Sequence, residues 1–157
     1  MLRPSLAVAV VMERMRLQNR WQSERWETIG VVPDRDPSGT GPRLLVENEE
    51  RAQWLHPGFK LELFPDEAEG YYLNLSSPQP FVFVNWNEED GKAVPVIVTA
   101  SYNEAGRLMD AGGRVDGVPM PGEWTPWLAE FVDRHYRPEP KKRIRPPSFK
   151  GARRDER

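Results

Sequence analysis

Two histidines, two acidic runs and one glycine-rich stretch are the places where the residue types of this chain could support chemistry. An imidazole does acid–base or nucleophilic work when a nucleophile or an orienting carboxylate stands with it. Neither His56 nor His135 has such a companion at recognisable spacing. His56, before Pro57-Gly58, reads as a turn residue. His135 reads as structural, near the C-terminus of an amphipathic helix, where a partly charged ring is favourable. Cysteine is absent, which excludes disulfides, thiolate-bound zinc and iron–sulfur ligation, and a transition-metal site would have to use carboxylates. The runs Glu47-Asn48-Glu49-Glu50 and Glu88-Glu89-Asp90-Gly91 lack the alternating ligands of an EF-hand loop and read as solvated turns. The stretch GRLMDAGGRVDG, Gly106–Gly117, has no following Lys-Ser/Thr and no G-x-G-x-x-G spacing; it reads as a helix end and a turn. On these grounds no catalytic residue, metal ligand or cofactor is assigned.

The six tryptophans carry more information. Trp124 and Trp127 fall on the apolar face of a C-terminal helix and Trp86 lies in an apolar strand, so all three read as core. Trp21, Trp26 and Trp54 sit among Arg20, Glu24, Arg25, Glu50 and Arg51. A large aromatic beside arginine suits a contact hot spot, because it covers much area at little cost in rotamer entropy; the arginine can equally stack on the ring within the domain. Strand alternation sends Trp21 and Trp26 to opposite faces, so at least one is structural unless a bulge near Gly30 shifts the register. The partner-binding candidates are therefore Trp21, Arg25, Trp26 and Trp54 in the body, with Lys141, Lys142, Arg143, Arg145 and Phe149 near the C-terminus.

The elements that must position these residues are mostly strands. SLAVAVVM, Ser5–Met12, is apolar on both alternating faces, as in a strand covered on both sides. Although it follows Met1-Leu2-Arg3, it is short and runs into Glu13-Arg14 without a small-residue cleavage site, so it reads as a strand and not as a signal peptide. Gln22–Val32 is a second strand, PDRDPSGTGP a loop, and Arg43–Glu47 a short strand. Asn48, as a cap with an acidic first turn, predicts about two helical turns over NEERAQWLHPG. A meander follows: Phe59–Leu63, Tyr71–Leu75, Phe81–Trp86 and Val94–Ala100, with Pro95 placing the last at an edge. Asn103 is expected to cap a helix ended by Gly112-Gly113, and Thr125-Pro126 to open a final amphipathic helix stopped by Pro138. The predicted fold is α+β and mainly β: a small antiparallel curled sheet or barrel sealed by the C-terminal helix, one domain over residues 1–137.

Sixteen prolines against twelve glycines in 157 residues favour short strands and turns over long helices. The net charge of −2 conceals a split. Residues 138–157 carry eight basic and three acidic side chains, or +5, which leaves −7 on residues 1–137. This basic, proline-rich segment has too little apolar content to fold alone and is predicted to be an extended tail, with Ile144 and Phe149 as isolated anchors. No apolar run reaches the ~20 residues of a membrane span. With the lack of cysteine, this predicts a cytoplasmic protein that does not engage a membrane.

VAVVMERMRLQNRWQSERWETIGVVPD (Val8–Asp34), PFVFVNW (Pro80–Trp86), PVIVTASYNEAGRLMDAGGRVDGVPMP (Pro95–Pro121) and FVDRHYRPEPKKRIRPPSF (Phe131–Phe149) together resemble a bacterial domain-of-unknown-function family. Its genes lie beside those of molybdenum-dependent formate dehydrogenases, and some members are labelled molybdopterin-guanine dinucleotide biosynthesis protein A. The resemblance implies an association with that dehydrogenase. It does not bring the labelled activity with it, since the N-terminal SLAVAVVMERMRLQNRW contains no glycine where a nucleotide loop would stand. The expected function is that of a non-enzymatic accessory or maturation protein, binding a formate dehydrogenase subunit or another maturation factor. One alternative is binding or biosynthesis of the molybdenum cofactor, as pterin or nucleotide. Another is nucleic-acid binding through the tail with Trp21 and Trp26 stacking on bases, which the acidic body opposes.

Overall fold

The computed structural model describes residues 3–36, 39 and 41–138. Among the described residues there are seven strands and three helices: β1 (Ser5–Arg16), β2 (Glu24–Pro33), β3 (Arg43–Glu47), β4 (Arg51–Glu62), α1 (Ala68–Leu75), β5 (Phe81–Glu89), β6 (Lys92–Thr99), α2 (Tyr102–Asp110), β7 (Arg114–Pro119) and α3 (Thr125–His135). Short 3₁₀ turns at Pro65–Glu67 and Gly122–Trp124 lead into α1 and α3. The strands form two antiparallel sheets, in the orders β2-β1-β4-β3 and β6-β5-β7, and do not close into a barrel. The mainly-β α+β class is as the sequence predicts; the single curled sheet is replaced by two.

β1 is the middle of the design because its apolar run can be covered on both sides. It pairs with β2 on one side and with β4 along nearly its whole length on the other. Val8, Val10 and Met12 point into the core, where they meet Leu61 and Leu63 of the first sheet's far end, Val82, Val84 and Trp86 of β5, Tyr71 of α1, and Leu128 and Phe131 of α3. Each such side chain contributes roughly 1.5–3 kcal/mol by leaving water.

Besides this shared core, a carboxylate links the sheets by hydrogen bonding. Asp116 on β7 accepts a hydrogen bond from the Thr28 backbone N–H of β2 (2.8 Å) and another from the Trp86 indole N–H of β5 (2.8 Å). The ladder between β1 and β2 slips at this point: Val11 faces Gly30 but Met12 faces Thr28, leaving Ile29 as the extra residue. The bulge near Gly30 is thus present and restores the inward direction of Val31.

Three local expectations fail, each for a tertiary reason. Asn48 does organise a turn, its Oδ1 accepting from the N–H groups of Glu50 and Arg51 (2.9 Å each), but the turn joins β3 to β4 and opens no helix. The residues after it are drawn into a strand by the open edge of β1, so His56 lies within β4 and not in a turn. Tyr71–Leu75, read as a strand from its alternation, is helical in α1. There Asn74 is buried, donating to the carbonyls of Phe81 (2.8 Å) and Ala100 (2.9 Å) and accepting from Phe81 N–H (2.9 Å). The segment Arg114–Pro119, read as a turn, is β7 and completes the second sheet beside β5.

Helix ends also move by a residue or two. Ser101, not Asn103, caps α2 by accepting from Glu104 N–H (3.0 Å), and its hydroxyl donates to Glu67 (2.6 Å) below α1. Arg107 closes the link by pairing with the same carboxylate. Gly112, at φ +90°, ends α2 where the sequence places its stop. The cap of α3 is Trp124, with Thr125 already helical. The acidic run at Glu88–Gly91 is the β5–β6 hairpin turn, with Asp90 and Gly91 both at positive φ (53° and 77°), the pairing that a tight turn of this kind requires. The predicted tail, apart from Pro138, lies outside the described residues.

Candidate functional site

Alternation along β2 directs Trp26 and Thr28 inward and Arg25 and Glu27 outward. On β4 the same rule turns Trp54 inward, level with Met12 of β1 and Leu44 of β3. The two indoles meet with ring centroids 5.3 Å apart and planes tilted by 32°. They form one wall of a cleft of about 330 Å³, completed by Pro42, Leu44, His56 and the first residues of β6, Lys92, Ala93 and Val94. The cleft thus lies where the first sheet meets the beginning of an edge strand of the second.

Its electrostatics are those of an apolar slot with one lysine, Lys92, in its lining. Lys92 Nζ stands 5.8 Å from the Trp54 ring centroid, and the Arg14 guanidinium 5.9 Å from it. Both are at distances where a cation is attracted to an indole face. Burial holds the His56 imidazole below its ordinary pKa of 6.5, so the ring is neutral at physiological pH. The Trp26 indole N–H is buried with no acceptor among the described residues. A donor left so costs about 1–3 kcal/mol.

Beside the cleft, β3 leaves an apolar surface in water. Leu44 (46%), Leu45 (44%) and Val46 (39%) are all exposed, on a strand that forms the edge of its sheet. A register slip between Leu44 and Val46 makes Leu45 the odd residue, so the three side chains do not alternate between a wet and a dry face. Three consecutive exposed apolar residues on an edge strand are a liability that folded proteins avoid unless something covers them.

The residues expected to bind a partner are only partly brought together. Trp26 and Trp54 are in contact. Trp26 is 9% exposed, and Trp21, in the loop before β2, is 85% exposed beneath the Arg20 guanidinium (5.9 Å). The two therefore do not form one stacking platform. Arg25 faces outward and pairs with Glu27 (3.3 Å). Lys141, Lys142, Arg143, Arg145 and Phe149 lie outside the described residues. Pro42, Leu44, His56 and Lys92 went unpredicted, although RLLVE, two charges around three apolar residues, already departs from the alternation of a half-buried strand.

Among the described residues, no group of three or more His, Asp or Glu side chains could hold a metal ion. No helix among them is long and apolar enough to cross a membrane. Residues 7–145 match the model of a family described as a protein of unknown function, DUF3305. Neither the curated proteins nor the solved structures contain a significant match to the chain.

Proposed function

We propose that this chain, which belongs to the DUF3305 family, is a non-enzymatic accessory protein that works by protein–protein contact. The client implied by the resemblance of its sequence is a molybdenum-dependent formate dehydrogenase, as a subunit or during its maturation. The observation that carries the reading is the exposed Leu44-Leu45-Val46 edge of β3 next to the Trp26–Trp54 cleft. An edge strand offers unpaired backbone groups to an incoming chain, and apolar side chains beside an aromatic slot supply the buried area that such pairing needs. Lys92 in the cleft lining favours an acidic segment on the partner.

Purification of the tagged full-length chain from its own cells tests the proposal. Dehydrogenase subunits are expected to co-purify, and Leu45→Asp is expected to reduce their yield about tenfold, the effect of ~1.4 kcal/mol on association. Because Leu45 is already in water, the thermal midpoint of the variant should stay within a few degrees of the parent. A set of captured proteins without the dehydrogenase subunits would refute the assignment of the client.

A second reading is supported by the same cleft. Two indoles, a neutral imidazole and a lysine around about 330 Å³ suit one planar heteroaromatic ring bearing a negative group, such as a pterin or a nucleotide base with phosphate. Calorimetric titration with GTP and with the molybdenum cofactor distinguishes it from the first reading. Saturable heat that disappears in Lys92→Glu supports it, and no heat at millimolar ligand removes it.

A further inference from the structure

A second apolar groove lies on the far side of the second sheet, between α1 and α2. Leu73 of α1, Phe81 and Phe83 of β5 and Tyr102 of α2 line a volume of about 440 Å³. Phe83 meets Tyr102 edge-on (centroids 6.3 Å, 67°), and Gly117 of β7 lies beside the Phe83 ring without a side chain to cover it. Leu73 is 42% and Tyr102 58% exposed. Glu69 stands one helical turn before Leu73 on the same face of α1 and accepts a hydrogen bond from Asn103 of α2 (2.9 Å).

The described chain ends close by. Tyr136, just past α3, stacks on Tyr72 of α1 with centroids 4.6 Å apart and planes 23° from parallel. Tyr72 is the neighbour of Leu73 on that helix. Beyond Pro138 the sequence runs on for nineteen residues, with eight basic side chains and only two large apolar ones, Ile144 and Phe149. The family match continues into this stretch, to residue 145.

We infer that the groove between α1 and α2 is the seat of this chain's own residues 139–149, which cross α1 from Tyr136 and place Ile144 and Phe149 against Leu73, Phe83 and Tyr102. Reach permits it: six residues in polyproline II conformation span about 19 Å and eleven about 34 Å, whereas a helix with its side chains is roughly 10–12 Å across. Charge favours it: Lys141, Lys142 and Arg143 travel with the segment, and Glu69 and a body of net charge −7 receive them. The Tyr136–Tyr72 stack is the first contact of that path and is already in place.

Limited trypsin digestion of the full chain reads the docked state at the bonds after Lys141, Lys142 and Arg143. Cleavage there is expected to accelerate about fivefold in Leu73→Lys, in Tyr102→Lys and in the double variant Ile144→Ser/Phe149→Ser, since proteolysis follows the population of the open form. Leu73 and Tyr102 are exposed, so an unchanged thermal midpoint separates release of the segment from loss of the fold. Equal cleavage rates in the parent and all three variants overturn the inference. Protection that grows with protein concentration overturns it as well, because the groove is then filled by a second copy.

Discussion

Gly70 illustrates how a residue's surroundings can reverse its intrinsic tendency. Glycine inside a helix is ordinarily less stable than alanine by roughly 0.5–1 kcal/mol. Here a Cβ at position 70 would stand 2.0 Å from Ser101 Oγ and 3.0 Å from Ser101 Cβ, at the cap that joins α2 to α1. Gly70→Ala is therefore expected to destabilise by about 1–3 kcal/mol in chemical denaturation, and because Ser101→Gly removes the clashing hydroxyl together with the cap of α2, the double variant should lose less than the sum of the two single losses. Tyr71, its neighbour, is fully buried and its hydroxyl accepts a hydrogen bond from Phe64 N–H (2.9 Å). Burial pushes the phenol up from 10.0 to about 12. The folded chain thus holds the proton more tightly than the unfolded one. This contribution is complete below pH 10 and is lost as pH rises through 12. It amounts to roughly 3 kcal/mol. Tyr71→Phe should flatten the part of the stability–pH curve between those values.

At the level of the elements, Asp116 adds a polar link to the packed junction between the sheets. Asp116 satisfies the Thr28 N–H and the Trp86 indole together, and both donors belong to residues less than a tenth exposed. Asp116→Ala leaves two buried donors without acceptors, so a loss of about 2–4 kcal/mol is expected. Asp116→Asn keeps an acceptor oxygen and should lose less than half as much in the same denaturation experiment. Equal losses for the two variants would mean that the charge of the carboxylate matters more than its hydrogen bonds. β3 presents the opposite situation. Its apolar side chains, 39–46% exposed, contribute less to the fold than core residues do, which is why Leu45→Asp separates partner binding from stability.

At the scale of the whole molecule, the described residues form one apolar concavity where β3 and β4 meet β6 and another between α1 and α2. Assigning the first to a partner and the second to the chain's own C-terminal residues gives both of these concavities an occupant. The proposals fail separately. Loss of dehydrogenase capture in Leu45→Asp concerns only the first, and faster trypsin cleavage in Leu73→Lys only the second. The charge split bears on the second alone, setting an acidic body opposite a basic C-terminal segment, whereas the cation at the cleft is Lys92.

Composition and local pattern determined much of this by themselves. The double-sided apolar run of β1, the alternation in β2, the Asp90-Gly91 turn and the glycine stop of α2 are written in short stretches, because each depends on a residue's own backbone preference or on its immediate neighbours. The cleft was half legible: Trp26 and Trp54 stand out among charges, but nothing local brings them together. Tertiary pairing decided the rest. Asn48 makes the same side-chain hydrogen bonds in a hairpin turn as it would at a helix start, so only the free edge of β1 could make the following residues a strand and carry Trp54 and His56 into the cleft. Tyr71 and Asn74 likewise took helical positions because Phe131 and Ala100, distant in sequence, and Phe81, across the following loop, offered a ring and three backbone groups to meet them. A strand's partner and a buried amide's hydrogen bonds come from elsewhere in the chain, and a local pattern holds no record of them.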